Sequence, residues 1–238
     1  MHQSRLVEDL GEAFNPEGTK YAPNLYHFMR LDDNLELWKP GNNLTRFLKY
    51  YKYLSDLADR NIGLIDVKYD MLRAFDPEVS ELYSYPALFD MVDKVGASVI
   101  HLTRNPFQIY VSHRLCVETS VFHLKIGAER QLFDKISRHS ISIDIQDMIE
   151  YIGKRLEEQA DINHYVKFCT HRLSVDYKDL YIENEGMNLD LLWKFMGLTP
   201  QECTPELVKS VQKPYSEIIA NYGSVVQALN DFGWSDLL

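Results

Sequence analysis

Apolar positions along the chain switch between two periods. Leu44, Phe47, Leu48, Tyr51, Leu54 and Leu57 recur at helical spacing. This predicts a helix that starts at about Asn43, which can cap it, and ends at Asn61-Ile62-Gly63. Gly63-Leu64-Ile65-Asp66-Val67-Lys68-Tyr69 follows as a short apolar run suited to a buried strand. A helix predicted around 86–94 leads through Gly96 to a second such run at 97–103, which stops at Arg104-Asn105-Pro106. Pro106 suits the first turn of a helix and Asn105 suits its cap, so a helix is expected to about residue 117. A long helix is predicted over 144–168, with Ile145, Met148, Ile149, Ile152, Leu156 and Ile162 as its apolar stripe. A third strand is predicted at 172–177. A helix over 189–196 runs into Gly197, a good glycine just past a helix end. Two short helices are expected near 205–212 and 215–230.

Residues 1–42 carry no clear period. Turn clusters stand at Asn15-Pro16-Glu17-Gly18 and Lys39-Pro40-Gly41-Asn42, and residues 1–10 read as a helix end on which Leu6, Val7 and Leu10 share a face. Strand and helix alternate over the rest, which predicts an α/β class with a largely parallel sheet. No repeat, low-complexity tract or linker interrupts the 238 residues, so one domain over 1–238 is expected.

Charge narrows the partners. The chain carries 25 Lys and Arg against 35 Asp and Glu, a net of −10, and a field of that sign repels nucleic acid and anionic lipid. An anionic ligand needs a local site. No stretch approaches the roughly 18 apolar residues of a membrane helix. Met1-His2-Gln3-Ser4-Arg5 has no apolar stretch of the kind that directs secretion. The three cysteines, Cys116, Cys169 and Cys203, are widely spaced, which fits reduced thiols in a cytoplasmic protein and gives no metal-site signal.

In open α/β sheets, ligands bind beyond the carboxyl ends of strands. Arg104 leaves such an end, and Asn105-Pro106 opens a helix whose free N–H groups favour an anion. Ser112 lies about two turns in, roughly 9 Å along, a distance that a long Arg side chain can cover. On physics alone, Arg104 and Ser112 either grip one phosphate or Arg104 is a solvated charge at a strand end. His101 reads as a core histidine. His123 stands in a loop, Arg114 and Arg130 are either local positive potential or solvated, and Tyr50-Tyr51-Tyr53 reads as helix packing.

Arg104-Asn105-Pro106, with Val111-Ser112 placing the Ser eight positions after the Arg, resembles the 3′-phosphate-binding motif of sulfotransferases. These enzymes use 3′-phosphoadenosine-5′-phosphosulfate (PAPS). Gly11-Glu12-Ala13-Phe14 is similar to the Gly-Glu-x-Phe that follows their first helix in bacterial members. The strand carrying Lys68 is similar to their second strand. Val175-Asp176-Tyr177-Lys178-Asp179-Leu180, Trp193-Lys194-Phe195-Met196-Gly197-Leu198 and Ile218-Ile219-Ala220-Asn221-Tyr222 resemble later family elements in order.

The resemblance covers about 11–230 and implies a three-layer sandwich with a central, mostly parallel sheet flanked by helices, the P-loop nucleoside-triphosphate-hydrolase-like sulfotransferase fold. It implies sulfuryl transfer from PAPS to a hydroxyl of a carbohydrate or other small molecule, with no metal. Arg104 and Ser112 would bind the cofactor, and Glu12 and Lys68 would be catalytic, Glu12 as the base. Without the family, Glu12 reads first as a surface carboxylate in the acidic segment Glu8-Asp9-Leu10-Gly11-Glu12, and Lys68 equally as a solvated cation. The family's glycine-rich 5′-phosphosulfate turn has no counterpart in the ten residues before Gly11. The alternative is therefore a protein of the same fold that binds adenosine 3′,5′-bisphosphate or a partner without turnover. A P-loop kinase or NTPase needs GxxxxGK[ST], and the sequence contains no such string.

Overall fold

A computed structural model describes residues 7–12, 24–31, 43–58, 62–69, 87–122, 132, 135, 139–182, 186–187, 189–201 and 213–238. The chain is α/β. It divides into two compact units, one of residues 1–101 with 161–173 and the other of 102–160 with 174–238.

The first unit begins with strand β1 (Val7–Glu12). Helix α1 (Leu25–Met29) and helix α2 (Asn43–Leu57) follow, then strand β2 (Ile62–Asp66) and helix α3 (Ala87–Lys94). β1 and β2 pair in parallel, with Val7 beside Ile62 and Asp9 beside Leu64. This corrects the helix-end reading of the N-terminal segment for residues 7–10; residues 1–6 lie outside the described residues. Pairing with β2 outweighs the weak local preference, and Leu10 buries its side chain in a core of Leu25, Phe28, Phe47, Tyr50, Leu54 and Leu88. Asn24, itself buried, caps α1 by accepting from the N–H groups of Tyr26 at 2.9 Å and His27 at 3.3 Å. Tyr50 and Tyr53 pack on Phe28 with ring centroids 5.4 and 5.1 Å away, so they are core-forming as their spacing suggests. A second apolar cluster joins Phe89 to Ile162, Tyr165, Val166 and Cys169.

Strands β3 (Val99–Thr103) and β4 (Arg172–Asp176) pair with each other. Val99 N–H donates to the His171 carbonyl at 2.9 Å at one end, and the Thr103 hydroxyl to the Val175 carbonyl at 3.4 Å at the other. The two strands therefore run the same way. Among the described residues the strands pair two by two.

Helix α4 (Pro106–Thr119) leaves β3 directly. Helix α5 (Ile145–Val166), helix α6 (Tyr177–Leu180), the strand pair β5 (Tyr181–Ile182) and β6 (Gly186–Met187), and helix α7 (Asp190–Phe195) follow. Gly197 takes the left-handed conformation, φ 72°, as a glycine past a helix end should. Helices α8 (Tyr215–Ile218) and α9 (Tyr222–Asp231) and a final 3₁₀ turn (Ser235–Leu237) complete the chain. The helix expected near 205–212 lies outside the described residues.

The core of the second unit holds Phe107, Val111, Leu115, Met148, Ile152 and Leu229. Beside it, Ile141 bridges to Ile219, and the Asn221 side-chain amide serves both backbone groups of Ile143, accepting from its N–H at 2.9 Å and donating to its carbonyl at 2.8 Å. One side chain thus does the work of a neighbouring strand. Among the described residues, no helix is long and apolar enough to cross a membrane.

Candidate functional site

Two groups of sequence-predicted residues sit in the two units. In the first unit, β1 carries a bulge. Register runs evenly from Val7–Ile62 to Asp9–Leu64 and then shifts, so that Glu12 rather than Gly11 lies beside Asp66. The shift is built from two residues. Gly11 adopts φ 68°, which side chains disfavour, and its N–H donates to the Asp9 carboxylate at 2.8 Å. Past the bulge, Glu12 Oε1 lies 3.5 Å from Lys68 Nζ. Lys68 also bonds the Asp66 carboxylate. The structure thus brings Glu12 and Lys68 together at the carboxyl ends of two parallel strands, half exposed to solvent. Burial alone would lower the Lys68 ammonium. The hydrogen bond and charge of Asp66, followed by those of Glu12, outweigh it and hold the group above its usual 10.5. Lys68 is therefore a firm cation. Asp66 is the residue that sequence reading passes over here, because an acid inside an apolar run looks like an interruption of the strand.

In the second unit, Arg104 follows β3 and precedes α4. Asn105 caps α4 by accepting from the Gln108 N–H at 3.1 Å, and Pro106 occupies the first turn. The Asn105 amide also donates to the Leu237 carbonyl at 2.9 Å, and Gln159 donates to the Arg104 carbonyl at 2.9 Å. The Arg104 guanidinium lies over the Tyr177 ring, 4.7 Å from its centroid. Its Nε is buried and makes no hydrogen bond among the described residues. Ser112 is half-buried one turn before Cys116 and bonds its thiol. Burial pushes that thiol up, and the Ser112 bond opposes it. Arg104 and Ser112 thus keep separate partners. The contacts of Tyr177 and Gln159 with Arg104 come into view only through tertiary structure.

The remaining candidates are structural or lie elsewhere. His101 is 4% exposed, and its Nε2 faces the Tyr69 hydroxyl at 2.9 Å. Burial holds its imidazole below the usual value, with the Asn163 side chain opposing. Arg114 pairs with Glu118 at 3.4 Å, and His139 meets the other oxygen of that carboxylate at 3.1 Å. His123 and Arg130 lie outside the described residues. Among the described residues, no cluster of His, Cys, Asp and Glu is arranged to hold a metal ion.

The arrangement offers two chemical capabilities. A carboxylate beside a fixed cation at strand ends can take a proton from a hydroxyl while the cation offsets developing charge. A guanidinium next to a capped helix start can hold a phosphate. No family model matches the chain, and no curated protein or solved structure matches it.

Proposed function

We propose that the chain is a PAPS-dependent sulfotransferase acting on a hydroxyl of a carbohydrate or other small molecule, with the three-layer α/β sandwich of that family. One observation carries this reading. Arg104 stands directly ahead of the Asn105-capped start of α4, and among the described residues its guanidinium has no ion pair with a carboxylate, so its charge is left for an anion. It is the arginine that the ordered family motifs single out.

In this reading Arg104 and Ser112 hold the 3′-phosphate of the donor. Glu12 takes the proton from the acceptor hydroxyl as its oxygen attacks sulfur. The new oxygen–sulfur bond forms while the bond from sulfur to the bridging phosphate oxygen breaks, and adenosine 3′,5′-bisphosphate leaves with the electron pair. Lys68 offsets charge on the transferring oxygens. Sulfuryl transfer resembles phosphoryl transfer, where positioning and electrostatics supply most of the acceleration.

Calorimetric titration with adenosine 3′,5′-bisphosphate and with adenosine 5′-phosphate tests the binding half, and transfer of labelled sulfate from PAPS to a panel of hydroxyl acceptors tests the chemistry. The reading expects a clear preference for the bisphosphate and measurable transfer. Equal affinity for the two nucleotides removes it. Preference without transfer leaves the non-catalytic nucleotide binder.

A further inference from the structure

The backbone around Arg104 is pinned, but its side chain is held differently. Gln159 fixes the Arg104 carbonyl at 2.9 Å. Asn105 is fixed twice, through its cap to Gln108 N–H at 3.1 Å and its amide to the Leu237 carbonyl at 2.9 Å. The strand-to-helix turn therefore has little freedom. The guanidinium stands at the end of several rotatable bonds, and immobilising such a chain costs conformational entropy. Among the described residues it has no ion pair with a carboxylate. What it has is the face of Tyr177, 4.7 Å away, at the start of α6 directly after β4. Tyr215 feels the same charge: burial raises its phenol, and Arg104 opposes that rise.

A ring is a suitable holder for a phosphate-binding arginine. A carboxylate would occupy the N–H groups and cancel the charge. An aromatic face orients the plane of the guanidinium and leaves its edge donors and full charge available. Among the described residues no carboxylate takes up the Arg104 donors.

We infer that Tyr177 is a positioning residue for the anion grip: its ring holds the Arg104 guanidinium in the orientation that receives the 3′-phosphate. The inference rests on the nucleotide reading above, and its test separates the two. The variants are Tyr177→Leu, which removes the ring, and Tyr177→Phe, which keeps it and removes only the hydroxyl. The first readout needs no ligand. It is the chemical shift of the Arg104 side-chain Nε–H in ¹⁵N-labelled protein, assigned by its loss in Arg104→Lys. The second is the ratio of affinities for adenosine 3′,5′-bisphosphate and adenosine 5′-phosphate, which isolates the 3′-phosphate from every other contact.

Tyr177→Leu is expected to move the Nε–H resonance and cut the affinity ratio about fivefold, as loss of a partly desolvated cation–ring contact should. Tyr177→Phe is expected to preserve both. A merely structural Tyr177 would lower both affinities together and leave their ratio alone. An unmoved resonance or an unchanged ratio in Tyr177→Leu overturns the inference, as does failure of Tyr177→Phe to preserve them. A wild-type chain with no preference for the bisphosphate overturns the phosphate-binding role and the nucleotide reading together, while the shift still decides whether the ring orients the guanidinium.

Discussion

Lys68 Nζ stands 3.5 Å from Glu12 Oε1, and a one-residue bulge in β1 is what brings the two into reach. Continued without the shift, the register of Val7 with Ile62 would set Gly11 beside Asp66 and turn Glu12 to the other face. Gly11 allows the bulge because it sits at φ 68°. Among the described residues nothing lies within 4 Å of where its Cβ would be, so a side chain there meets strain and not a clash with them.

Gly11→Val is therefore expected to act through backbone conformation. The left-handed region costs an ordinary residue about 1–2 kcal/mol, and a β-branched one has the greatest difficulty there. The strand either carries that strain or straightens and moves Glu12 away from Lys68. Urea melts should show the destabilisation, and sulfate transfer should fall toward the level of Glu12→Gln. Full transfer in Gly11→Val would show that the bulge has no part in placing Glu12.

The Glu12–Lys68 pair should matter far more to chemistry than to stability. Both groups are roughly half exposed, and exposed pairs couple by no more than about 1 kcal/mol. Removing a general base typically costs about 10²–10⁴ in rate. Glu12→Gln is expected to keep nucleotide affinity and lose most transfer, while a double-mutant cycle with Lys68→Gln shows only weak coupling in urea. The Lys68 ammonium is held above 10.5, so its contribution is complete below that pH and fades as pH rises through the folded-state value. Near-normal turnover by Glu12→Gln would place the base elsewhere.

Arg104→Ala is expected to weaken binding of adenosine 3′,5′-bisphosphate at least tenfold. A charge-assisted hydrogen bond contributes roughly 1.5–3 kcal/mol. Ser112→Ala should cost less, since it removes a neutral donor that also bonds Cys116. Adenosine 5′-phosphate should be affected far less by either. Calorimetry reads both ligands, and equal losses for the two would detach Arg104 from the 3′-phosphate.

His101 should make the first unit sensitive to mild acid. Burial depresses its folded-state pKa below the usual 6.5, with Asn163 opposing, so the unfolded chain takes up this proton first. The associated stability is complete above about 6.5 and is lost as pH falls through the folded-state value. Denaturant midpoints at pH 7.5 and 5.5 should differ, and His101→Gln should shrink the difference. An unchanged difference would assign the acid sensitivity to other groups.

Asn221 should be worth more than its partly buried position suggests. Asn221→Ala leaves the N–H and the carbonyl of Ile143 without their partner, at about 1–3 kcal/mol for each buried group left unsatisfied. Asn221→Asp keeps an acceptor for the N–H and loses the donor, so it should fall between wild type and Asn221→Ala in thermal melts. Equal melting of all three would mean that water serves Ile143 as well.

The sequence by itself determined the elements whose signals are local. The periodic stripe from Leu44 to Leu57 became α2, Asn105-Pro106 opened α4, Gly197 ended a helix, and the apolar runs at Leu64, Val99 and Leu173 became strands. Each depends on side-chain period or on a cap within a few residues, so a linear reading finds it. The run at Leu64 is not the buried strand that its composition predicts, since Leu64 and Ile65 are exposed in β2. β1 was decided only by tertiary structure. Its bulge breaks the alternation that marks a strand, and its pairing energy comes from β2, far along the chain. The same holds for the site. Glu12, Lys68, Arg104 and Ser112 were legible as residue types in a pattern. The approach of Glu12 to Lys68, the ring of Tyr177 under Arg104 and the amide of Gln159 on its carbonyl were not. Side-chain contacts across elements depend on register and packing, and a one-residue shift in register exchanges one face for the other.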